Sequence, residues 1–382
     1  MKETLAAATP LCPHFGTCGG CQYQDLTYPE QLRIKRVRLT DLLKDAGVEA
    51  PLNITLHSAE PYLYRNRIRL RIQRIGGQLR FGYNIRTTTN FLPIVTCPIA
   101  APILIQTAEA LLTTASEDRD ATFWLNATAE VELLANDDLT RVQLTLFCAP
   151  RTRSPQGSFI RMLTALQTRA PQVTGAAAVA FDPRTGPTGR TLAEAGTTGL
   201  NYVVANETYW ITRGGFFQVN RFLLATLVRL VTDNRTGALA WDLYAGVGLF
   251  SRVVAPHFTR ITAVEANPIA AADLRASLTK LNPNHTAIES TTLDFLRRAI
   301  LDRDRPDLII LDPPRAGVGI EAGDLLNRIA APGIVYVSCD PTTLARDLAI
   351  LQSLYTITAL HLVDLFPQTY HLETIVVLQR RA

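Results

Sequence analysis

The chain has 382 residues, of which 47% are hydrophobic and 19% are charged, and its formal net charge is +4. This composition excludes a disordered chain, which lacks the apolar side chains needed to offset the entropy lost on folding. No run of about 18 apolar residues occurs and no apolar segment follows Met1, so we expect a cytoplasmic protein with no membrane partner. At roughly 150 residues per domain, the length predicts two or three domains.

The first predicted element is an amphipathic helix over Tyr28–Ala46, where apolar side chains recur among lysines and arginines. Beyond residue 62 the hydrophobic period changes to two, which predicts a half-buried strand with one arginine-rich face. The arginines of that face are Arg67, Arg69 and Arg71, and they alternate with Ile68, Leu70 and Ile72. Residues 61–90 contain seven arginines and no acidic residue, so this face is a candidate for binding phosphates.

The middle of the chain is predicted to be rich in strands, with helices attached. Gly76 and Gly77 indicate a hairpin turn that leads into a strand over Leu79–Ile85. Two further strands are expected, one starting at Thr122–Trp124 and the other at Thr140–Phe147.

From about residue 237 short apolar strands alternate with helices, which predicts a doubly wound parallel sheet covered on both faces. Helices are expected after Gly248 and over Ala270–Leu281. The expected strands are Ala238–Leu243, Ile261–Glu265, Asp307–Leu311, Ile334–Val337, Thr356–Val363 and Thr374–Leu378.

Three of the six cysteines, Cys12, Cys18 and Cys21, lie within ten residues of each other. This close spacing lets one loop present several thiolates to a single metal centre. Cys97 is the candidate for a fourth ligand, because a proline follows it and Cys-Pro recurs at iron–sulfur sites. Zinc also accepts four thiolates, so the spacing alone leaves zinc and iron–sulfur open.

A Gly-x-Gly turn at Gly246 and Gly248 follows the first strand of the C-terminal region, after Tyr244. Glycines at such a turn let a ligand approach the backbone closely. Glu265 ends the next strand, where an acid accepts hydrogen bonds from ribose hydroxyls. The pattern favours a nucleotide-type cofactor, and the alternative is a tight turn beside a solvated glutamate.

Two more candidate residues follow strands of the same region. Asp312 directly follows Asp307–Leu311, and open α/β sheets bind ligands outside the carboxyl ends of their strands. Cys339 follows the next strand and precedes a predicted helix, whose N-terminus would favour a thiolate. The alternatives are a structural aspartate and a core cysteine.

Polar residues occupy every second position before the last strand, at Thr369, His371 and Glu373. Strand-like alternation would place all three on one face, which is either functional or a solvated edge.

Taken together, these segments resemble the RNA 5-methyluridine methyltransferases, which methylate uracil C5 and use S-adenosyl-L-methionine. The resemblance extends from Cys12 to Leu378 and is carried by the four cysteines and four motifs. The motifs are Gly215–Asn220, Asp312–Gly317, Ser338–Pro341 and Phe366–Glu373. It implies an α/β fold in which a Rossmann-like methyltransferase domain is preceded by a β-rich central domain and an N-terminal iron–sulfur segment. The expected bounds are 1–60 for the iron–sulfur segment, 61–210 for the RNA-binding central domain and 211–382 for the methyltransferase domain.

By this resemblance Cys339 is the nucleophile that adds to C6 of uracil, and Glu373 is the general base. The cofactor-binding positions of the family correspond to Gln218, Tyr244, Glu265 and Asp312. The cysteine pattern looks like the version that holds a [4Fe–4S] cluster in members acting on ribosomal RNA, with ligands Cys12, Cys18, Cys21 and Cys97. We therefore expect the protein to methylate 23S rRNA rather than tRNA. Because the sequence has no heptads and no exposed apolar stripe, we expect a monomer.

The sequence departs from the family pattern at two places. Leu249 stands where many members have asparagine, so one polar cofactor contact is expected to be missing. No N-terminal β-barrel of the TRAM type is expected before Cys12. Three alternatives stay open: a tRNA T-loop methyltransferase, a catalytically inactive RNA-binding iron–sulfur protein, and a zinc-dependent enzyme acting on DNA.

Overall fold

The computed structural model describes residues 6–50, 53–152, 155–182 and 186–382, with the backbone alone for residues 186–189. The elements that precede residue 213 form the N-terminal and central parts of the chain. They are α1 (Tyr28–Asp45), β1 (Thr55–His57), β2 (Arg67–Ile75), β3 (Gln78–Asn84), β4 (Phe91–Pro93), α2 (Pro102–Glu117), α3 (Arg119–Asn126), β5 (Thr128–Ala135), β6 (Val142–Cys148), α4 (Gln156–Gln167), β7 (Val173–Asp182), β8 (Gly186–Gly196), β9 (Gly199–Val204) and β10 (Glu207–Thr212).

The elements after residue 213 alternate between helix and strand up to the last two strands. They are α5 (Leu224–Thr232), β11 (Gly237–Leu243), α6 (Ser251–Val254), β12 (Phe258–Glu265), α7 (Pro268–Leu281), β13 (Thr286–Glu289), α8 (Thr292–Asp302), β14 (Leu308–Leu311), α9 (Ile320–Ile329), β15 (Gly333–Ser338), α10 (Pro341–Leu351), β16 (Tyr355–Val363) and β17 (Glu373–Arg380).

The C-terminal strands form an eight-stranded sheet in the order β1-β16-β17-β15-β14-β11-β12-β13. All neighbours pair in parallel except β17, which is antiparallel to both β15 and β16. The doubly wound α/β architecture predicted from the alternating elements is therefore confirmed. Two details differ from the prediction: β17 reverses direction, and the edge strand β1 comes from the N-terminal part of the chain.

Helices cover both faces of this sheet. One apolar core joins it to α1, α8, α9 and α10, and the other joins it to α5, α6, α7 and the β9–β10 hairpin. The helix expected after Gly248 is short, because α6 has only four residues. None of the described helices is both long and apolar enough to cross a membrane.

The central strands form a seven-stranded sheet in the order β4-β3-β2-β5-β6-β7-β8. Its apolar face packs against α2, α3 and α4. Ile68 and Leu70 of β2 lie in that core, and the arginines between them point to the other face, so the predicted alternation is confirmed. The predicted Gly76-Gly77 hairpin is confirmed as well, because β2 and β3 pair antiparallel across it.

The strand expected at Thr122–Trp124 is wrong, since these residues lie in α3. The Asp118 carboxylate accepts a hydrogen bond from the Ala121 amide at 2.8 Å and caps the helix. The Trp124 ring is fully buried and packs edge-to-face on Phe159 at 4.9 Å between centroids. The capping bond and the packing of Trp124 favour a helix over a strand at residues 122–124, because the β-propensity of a residue depends strongly on its context.

Candidate active site and cysteine site

The strand ends of the eight-stranded sheet bring three of the candidate residues together. Asp312 follows β14, and Cys339 follows the neighbouring strand β15. Thr374 of β17 pairs with Ser338 of β15 in antiparallel register, so Glu373 lies opposite Cys339. One thiol and two carboxyl groups thus meet at the carboxyl edge of the sheet, where open α/β sheets bind their ligands.

The Cys339 thiol is not readily ionised in the protein alone. Burial raises its pKa to about 11, and the nearby carboxyl groups of Glu373 and Asp312 add to that effect, while Arg315 opposes it. The prediction that the helix N-terminus would favour the thiolate is wrong, because burial and the two carboxyl groups outweigh it. The amides at the start of α10 are instead capped by the Asp340 carboxylate. It accepts hydrogen bonds from the amides of Thr342 and Thr343, at 2.9 and 3.3 Å.

The two carboxyl groups beside the thiol are also strongly perturbed. Glu373 is 2% exposed, and burial together with the charge of Asp312 raises its pKa well above the usual range. Burial and the neighbouring Asp242 carboxyl raise the pKa of Asp312 to about 7. Once it has lost its own proton, a carboxylate with a raised pKa is a stronger base than an ordinary one, which suits the role of proton acceptor.

The 364–372 loop, which joins β16 to β17, differs from its prediction. Thr369 and His371 do not alternate with Glu373 along a strand, because β17 begins only at Glu373. Thr369 is buried in a turn, where its hydroxyl donates to the Phe366 carbonyl and accepts from the His371 amide. Burial and the positive charge of Arg315 lower the pKa of His371 to about 4, so its ring is neutral near pH 7.

The turn after β11 has the features of a nucleotide-type site. Glu265 accepts hydrogen bonds from the amides of Gly246 and Asn267, at 2.8 and 2.7 Å. Gly246 adopts φ +56°, and a Cβ added there would meet open space. Tyr244, which also has a positive φ of +66°, lies at the start of the same turn. This open, glycine-lined turn beside a carboxylate fits the ribose side of a bound nucleotide-type cofactor.

Gln218 belongs to the segment Gly215–Asn220, which runs between β10 and α5 and is held from two sides. The Gln218 side chain is buried, and the backbone carbonyl of Gln218 accepts a hydrogen bond from the Asn66 side chain at 3.2 Å. The Asn220 amide donates to the Leu365 carbonyl at 3.0 Å, which ties the segment to the 364–372 loop.

Two further residues near the turn bear on the candidate cofactor site. Asp242 is 1% exposed; its Oδ2 accepts from Ser251, but its Oδ1 has no partner among the described residues. In the sequence, Asp242 could have been singled out because it lies two residues before Tyr244 in a buried strand. Leu249 lies in the apolar core on the α5–α7 face, so it serves packing there.

The four cysteines line one cavity of about 330 Å³. Its wall comes from two distant parts of the chain, with Cys12, Cys18 and Cys21 on one side and Cys97 on the other. Among the described residues no group of three or more His, Cys, Asp or Glu is placed to hold a metal ion directly. The four cysteines therefore share one cavity, but the described residues form no ready-made metal site.

The cavity wall also carries hydrogen-bond donors directed at sulfur or left without a partner. The Gly20 amide donates to Sγ of Cys18 at 3.4 Å. Gln24 is 1% exposed, and its side chain hydrogen-bonds the Cys21 thiol. Nε of Arg65 is buried without an acceptor among the described residues. Donors and a guanidinium group around four thiols fit an anionic sulfur-rich group.

The arginines of β2 already make contacts within the protein. Arg67 donates to the Gly215 carbonyl at 2.8 Å, which anchors the segment that carries Gln218. Arg69 pairs with Glu130, and Arg71 donates to Oδ1 of Asn84 at 2.6 Å. Arg67 therefore supports the Gly215–Asn220 segment, whereas the other two guanidinium groups stay on the outer face of the sheet.

Comparison with known proteins decides the family. Residues 204–381 match the family model of the tRNA (uracil-5-)-methyltransferases. An uncharacterised RNA methyltransferase of Aquifex aeolicus is 30% identical over 377 residues, which cover 96% of this chain and 83% of that protein. The chain belongs to the RNA uracil-5-methyltransferase family.

Two further RNA uracil-5-methyltransferases are informative. The 23S rRNA (uracil(1939)-C(5))-methyltransferase RlmD of Halomonas elongata is 28% identical, covering 99% of this chain and 79% of that protein. The tRNA (uracil-54, C5)-methyltransferase of Pyrococcus abyssi, solved with S-adenosyl-L-homocysteine, superposes with a TM-score of 0.74 at 23% identity, covering 95% of this chain and 86% of that chain. The second likeness shows that the fold is shared.

Proposed function

We propose that this RNA uracil-5-methyltransferase methylates C5 of one uridine in 23S rRNA and takes the methyl group from S-adenosyl-L-methionine. The observation that carries the proposal is the meeting of Cys339 and Glu373 beside Asp312 at the strand ends. S-adenosyl-L-methionine supplies an electrophilic methyl group on a sulfonium centre. The cofactor would be held by Gln218, Tyr244, Glu265 and Asp312, the positions that correspond to the cofactor contacts of the family.

The proposed reaction needs a nucleophile and a base, because C5 of uracil is too weak a carbon nucleophile to react alone. The Cys339 thiolate adds to C6, and the electron pair of the C5–C6 double bond moves towards O4 to give an enolate. C5 of that enolate accepts the methyl group. Glu373 then takes the C5 proton, the double bond re-forms, and the thiolate leaves. The target base must leave its stack to reach Cys339.

The alternative substrate is a tRNA T-loop. The similarity to the RlmD of Halomonas elongata along nearly the whole chain supports rRNA, whereas the family model carries the tRNA name. The test gives purified enzyme and labelled cofactor equal amounts of protein-free 23S rRNA and of tRNA, both from cells lacking the enzyme. We expect label in 5-methyluridine of the rRNA, and preferential labelling of a T-loop would reverse the assignment.

We further propose that Cys12, Cys18, Cys21 and Cys97 hold a [4Fe–4S] cluster. The shared cavity, the hydrogen bond from the Gly20 amide to Sγ of Cys18 and the buried Nε of Arg65 in the cavity wall support it. The proposed bounds of the parts are 1–60 for the iron–sulfur segment, 61–210 for the RNA-binding domain and 211–382 for the methyltransferase domain.

Protein purified without oxygen is expected to be brown and to contain about four irons per chain. Changing Cys18 to Ser should remove most of the iron, because a ligand is lost. Cys148 is fully buried in the central core and lies outside the cavity, so Cys148→Ser is the matched control and should keep its iron. Stoichiometric zinc without iron would contradict the cluster.

The arginine face of β2 is expected to contact RNA phosphates. Changing Arg69 and Arg71 together to Gln should reduce the slope of log binding constant against log salt by roughly one per lost phosphate contact. Arg67 is left intact because it holds Gly215. Salt titration of RNA binding measures the slope, and an unchanged slope would mean that the face is simply solvated.

The raised pKa of Cys339 predicts a strong pH dependence of its reactivity in the absence of cofactor and RNA. Only the thiolate reacts with iodoacetamide, and a pKa of about 11 leaves a small thiolate fraction at pH 7. Alkylation should therefore speed up about tenfold per pH unit from pH 7 to 9, by the definition of a pKa. Mass spectrometry of the Cys339 peptide measures the rate, and a plateau near pH 8 would contradict the prediction.

A further inference from the structure

The 364–372 loop, which leads into Glu373, is bound by the segment that carries the cysteines. The Gln368 carbonyl accepts hydrogen bonds from the amides of Gln22 and Tyr23, at 2.9 and 3.0 Å. Gln22 is the next residue after Cys21. One end of the cysteine segment (residues 12–24) is therefore joined directly to the backbone of this loop.

A reciprocal pair of glutamines completes the junction. Gln31 of α1 is 1% exposed, and its Oε1 accepts a hydrogen bond from the Gln368 amide at 2.9 Å. Its Nε2 donates to Oε1 of Gln368 and to the Tyr23 carbonyl, both at 2.9 Å. Gln31 thus bonds to the cysteine segment and to the loop at the same time.

Gln368 needs this support because of its backbone conformation. It adopts φ +69°, in the left-handed region that non-glycine residues occupy at a cost. Such a conformation persists only where surrounding contacts determine it. The contacts from Gln22, Tyr23 and Gln31 supply that constraint.

Other N-terminal residues hold the same loop at neighbouring positions. The buried Lys35 ammonium lies 2.6 Å from Oδ1 of Asp364 and donates to the Phe366 carbonyl at 2.9 Å. The Tyr64 hydroxyl donates to the Pro367 carbonyl at 3.1 Å. Tyr64 precedes Arg65, which lines the cysteine cavity, so a second connection runs from the cavity to the loop.

We propose that Gln31 is a positioning residue that fastens the cysteine segment to the 364–372 loop, so that the integrity of the cysteine site controls the order of the loop. Loss of the Gln31 amide leaves buried polar groups of Gln368 and Tyr23 unsatisfied, which favours local opening. The expected effect on kcat rests on the proposed function, because the loop leads into the proposed base Glu373. The expected effect on the order of the loop does not depend on it.

The test measures amide hydrogen exchange of the full chain, without RNA. Gln31→Met keeps the side-chain volume and removes its hydrogen bonds. The matched control is Gln143→Met: Gln143 is 2% exposed, and its Nε2 donates to Oγ1 of Thr174 and to the Gly199 carbonyl, at 3.1 and 2.8 Å. Both variants lose a buried glutamine, but only Gln31 contacts the loop.

In Gln31→Met we expect exchange in residues 364–372 to rise at least tenfold, while Gln143→Met leaves this peptide at the wild-type rate. Cys21→Ser should raise exchange in the same peptide. Binding of S-adenosyl-L-homocysteine should stay within twofold of wild type in Gln31→Met, and kcat for methyl transfer should fall at least tenfold with little change in KM for RNA.

Unchanged loop exchange in Gln31→Met, or an equal rise in both glutamine variants, would overturn the role of Gln31. Unchanged exchange in Cys21→Ser would overturn its connection to the cysteine site. If the wild-type protein methylated no RNA, the proposed function would fail, and the exchange comparison would still decide the role of Gln31.

Discussion

Replacing Glu373 with Gln is expected to trap a covalent complex between the protein and its RNA substrate. The variant keeps the Cys339 thiol and the cofactor turn, so addition to C6 and methyl transfer can still occur once. The glutamine amide cannot accept the C5 proton, and without that step the thiolate cannot leave. We therefore expect at most one methyl transfer per protein and a loss of turnover of at least about 10³-fold.

The trapped species has a distinct signature. It should survive denaturation, migrate slowly on a denaturing gel, and carry label when the methyl group of the cofactor is labelled. Gln218→Glu, a change in the proposed cofactor contacts, is the matched control and should lower methylation without a labelled adduct. Low activity of Glu373→Gln without any adduct, at saturating cofactor, would count against Glu373 as the base.

If Glu373 is not the base, the structure limits which other carboxyl group could accept the C5 proton. Asp340 is the carboxylate nearest to Cys339 in the sequence, but it caps α10 through the amides of Thr342 and Thr343. Asp312 contributes to the raised pKa values of both Cys339 and Glu373, so it is the carboxyl group that shares their environment. If Glu373→Gln showed no adduct, Asp312 would be the next candidate to test.

The raised pKa of Cys339 keeps its thiol protonated in the protein alone. Burial and two neighbouring carboxyl groups disfavour the Cys339 thiolate in the protein alone. A sulfonium cation bound near Asp312 would offset that negative charge, because opposite charges at close range favour each other's charged form. Cofactor binding is thus expected to lower the pKa of Cys339 and to couple thiolate formation to readiness for methyl transfer.

Much of the C-terminal fold could be predicted from the sequence because its strands are short, apolar and bounded by turn residues. Asp312 and Cys339 were identifiable because each directly follows such a strand. The position of Glu373 opposite Cys339 depends on the antiparallel pairing of β17 with β15, which no local pattern specifies. The raised pKa of Cys339 could not be predicted either, because it follows from burial and from the nearby carboxyl groups of Glu373 and Asp312, which only the tertiary structure brings to the thiol.

The connections from the N-terminal part to the active site are long-range and could not be predicted. Gln31 and Gln368 are 337 residues apart, and nothing in either local pattern indicates their pairing. Lys35 lies in the helix that the sequence predicts to be amphipathic, yet it is 1% exposed and paired with Asp364. The ion pair depends on the packing of α1 against the C-terminal sheet. Hydrophobic periodicity alone does not reveal that packing.

Changing Cys339 to Ala is expected to abolish methyl transfer by at least about 10⁴-fold, as the loss of a covalent nucleophile does in other enzymes. Without addition at C6 no enolate forms, and C5 stays too weak a nucleophile to take the methyl group. The same variant should form no covalent RNA complex, even when it is combined with Glu373→Gln. Cys148→Ala, which removes a buried thiol of β6 in the central sheet, should keep activity near the wild-type level.

The double variant, Cys339→Ala combined with Glu373→Gln, tests the order of the two steps most directly. If Cys339 acts first and Glu373 acts last, the adduct that accumulates in Glu373→Gln should be absent when Cys339→Ala is added. The adduct contains the Cys339–C6 bond, so it cannot form without that thiol. RNA and cofactor binding should be retained in both single variants, measured by filter binding and by calorimetry with S-adenosyl-L-homocysteine. A labelled adduct that persists in the double variant would place the nucleophile elsewhere, and peptide mapping of that adduct would identify it.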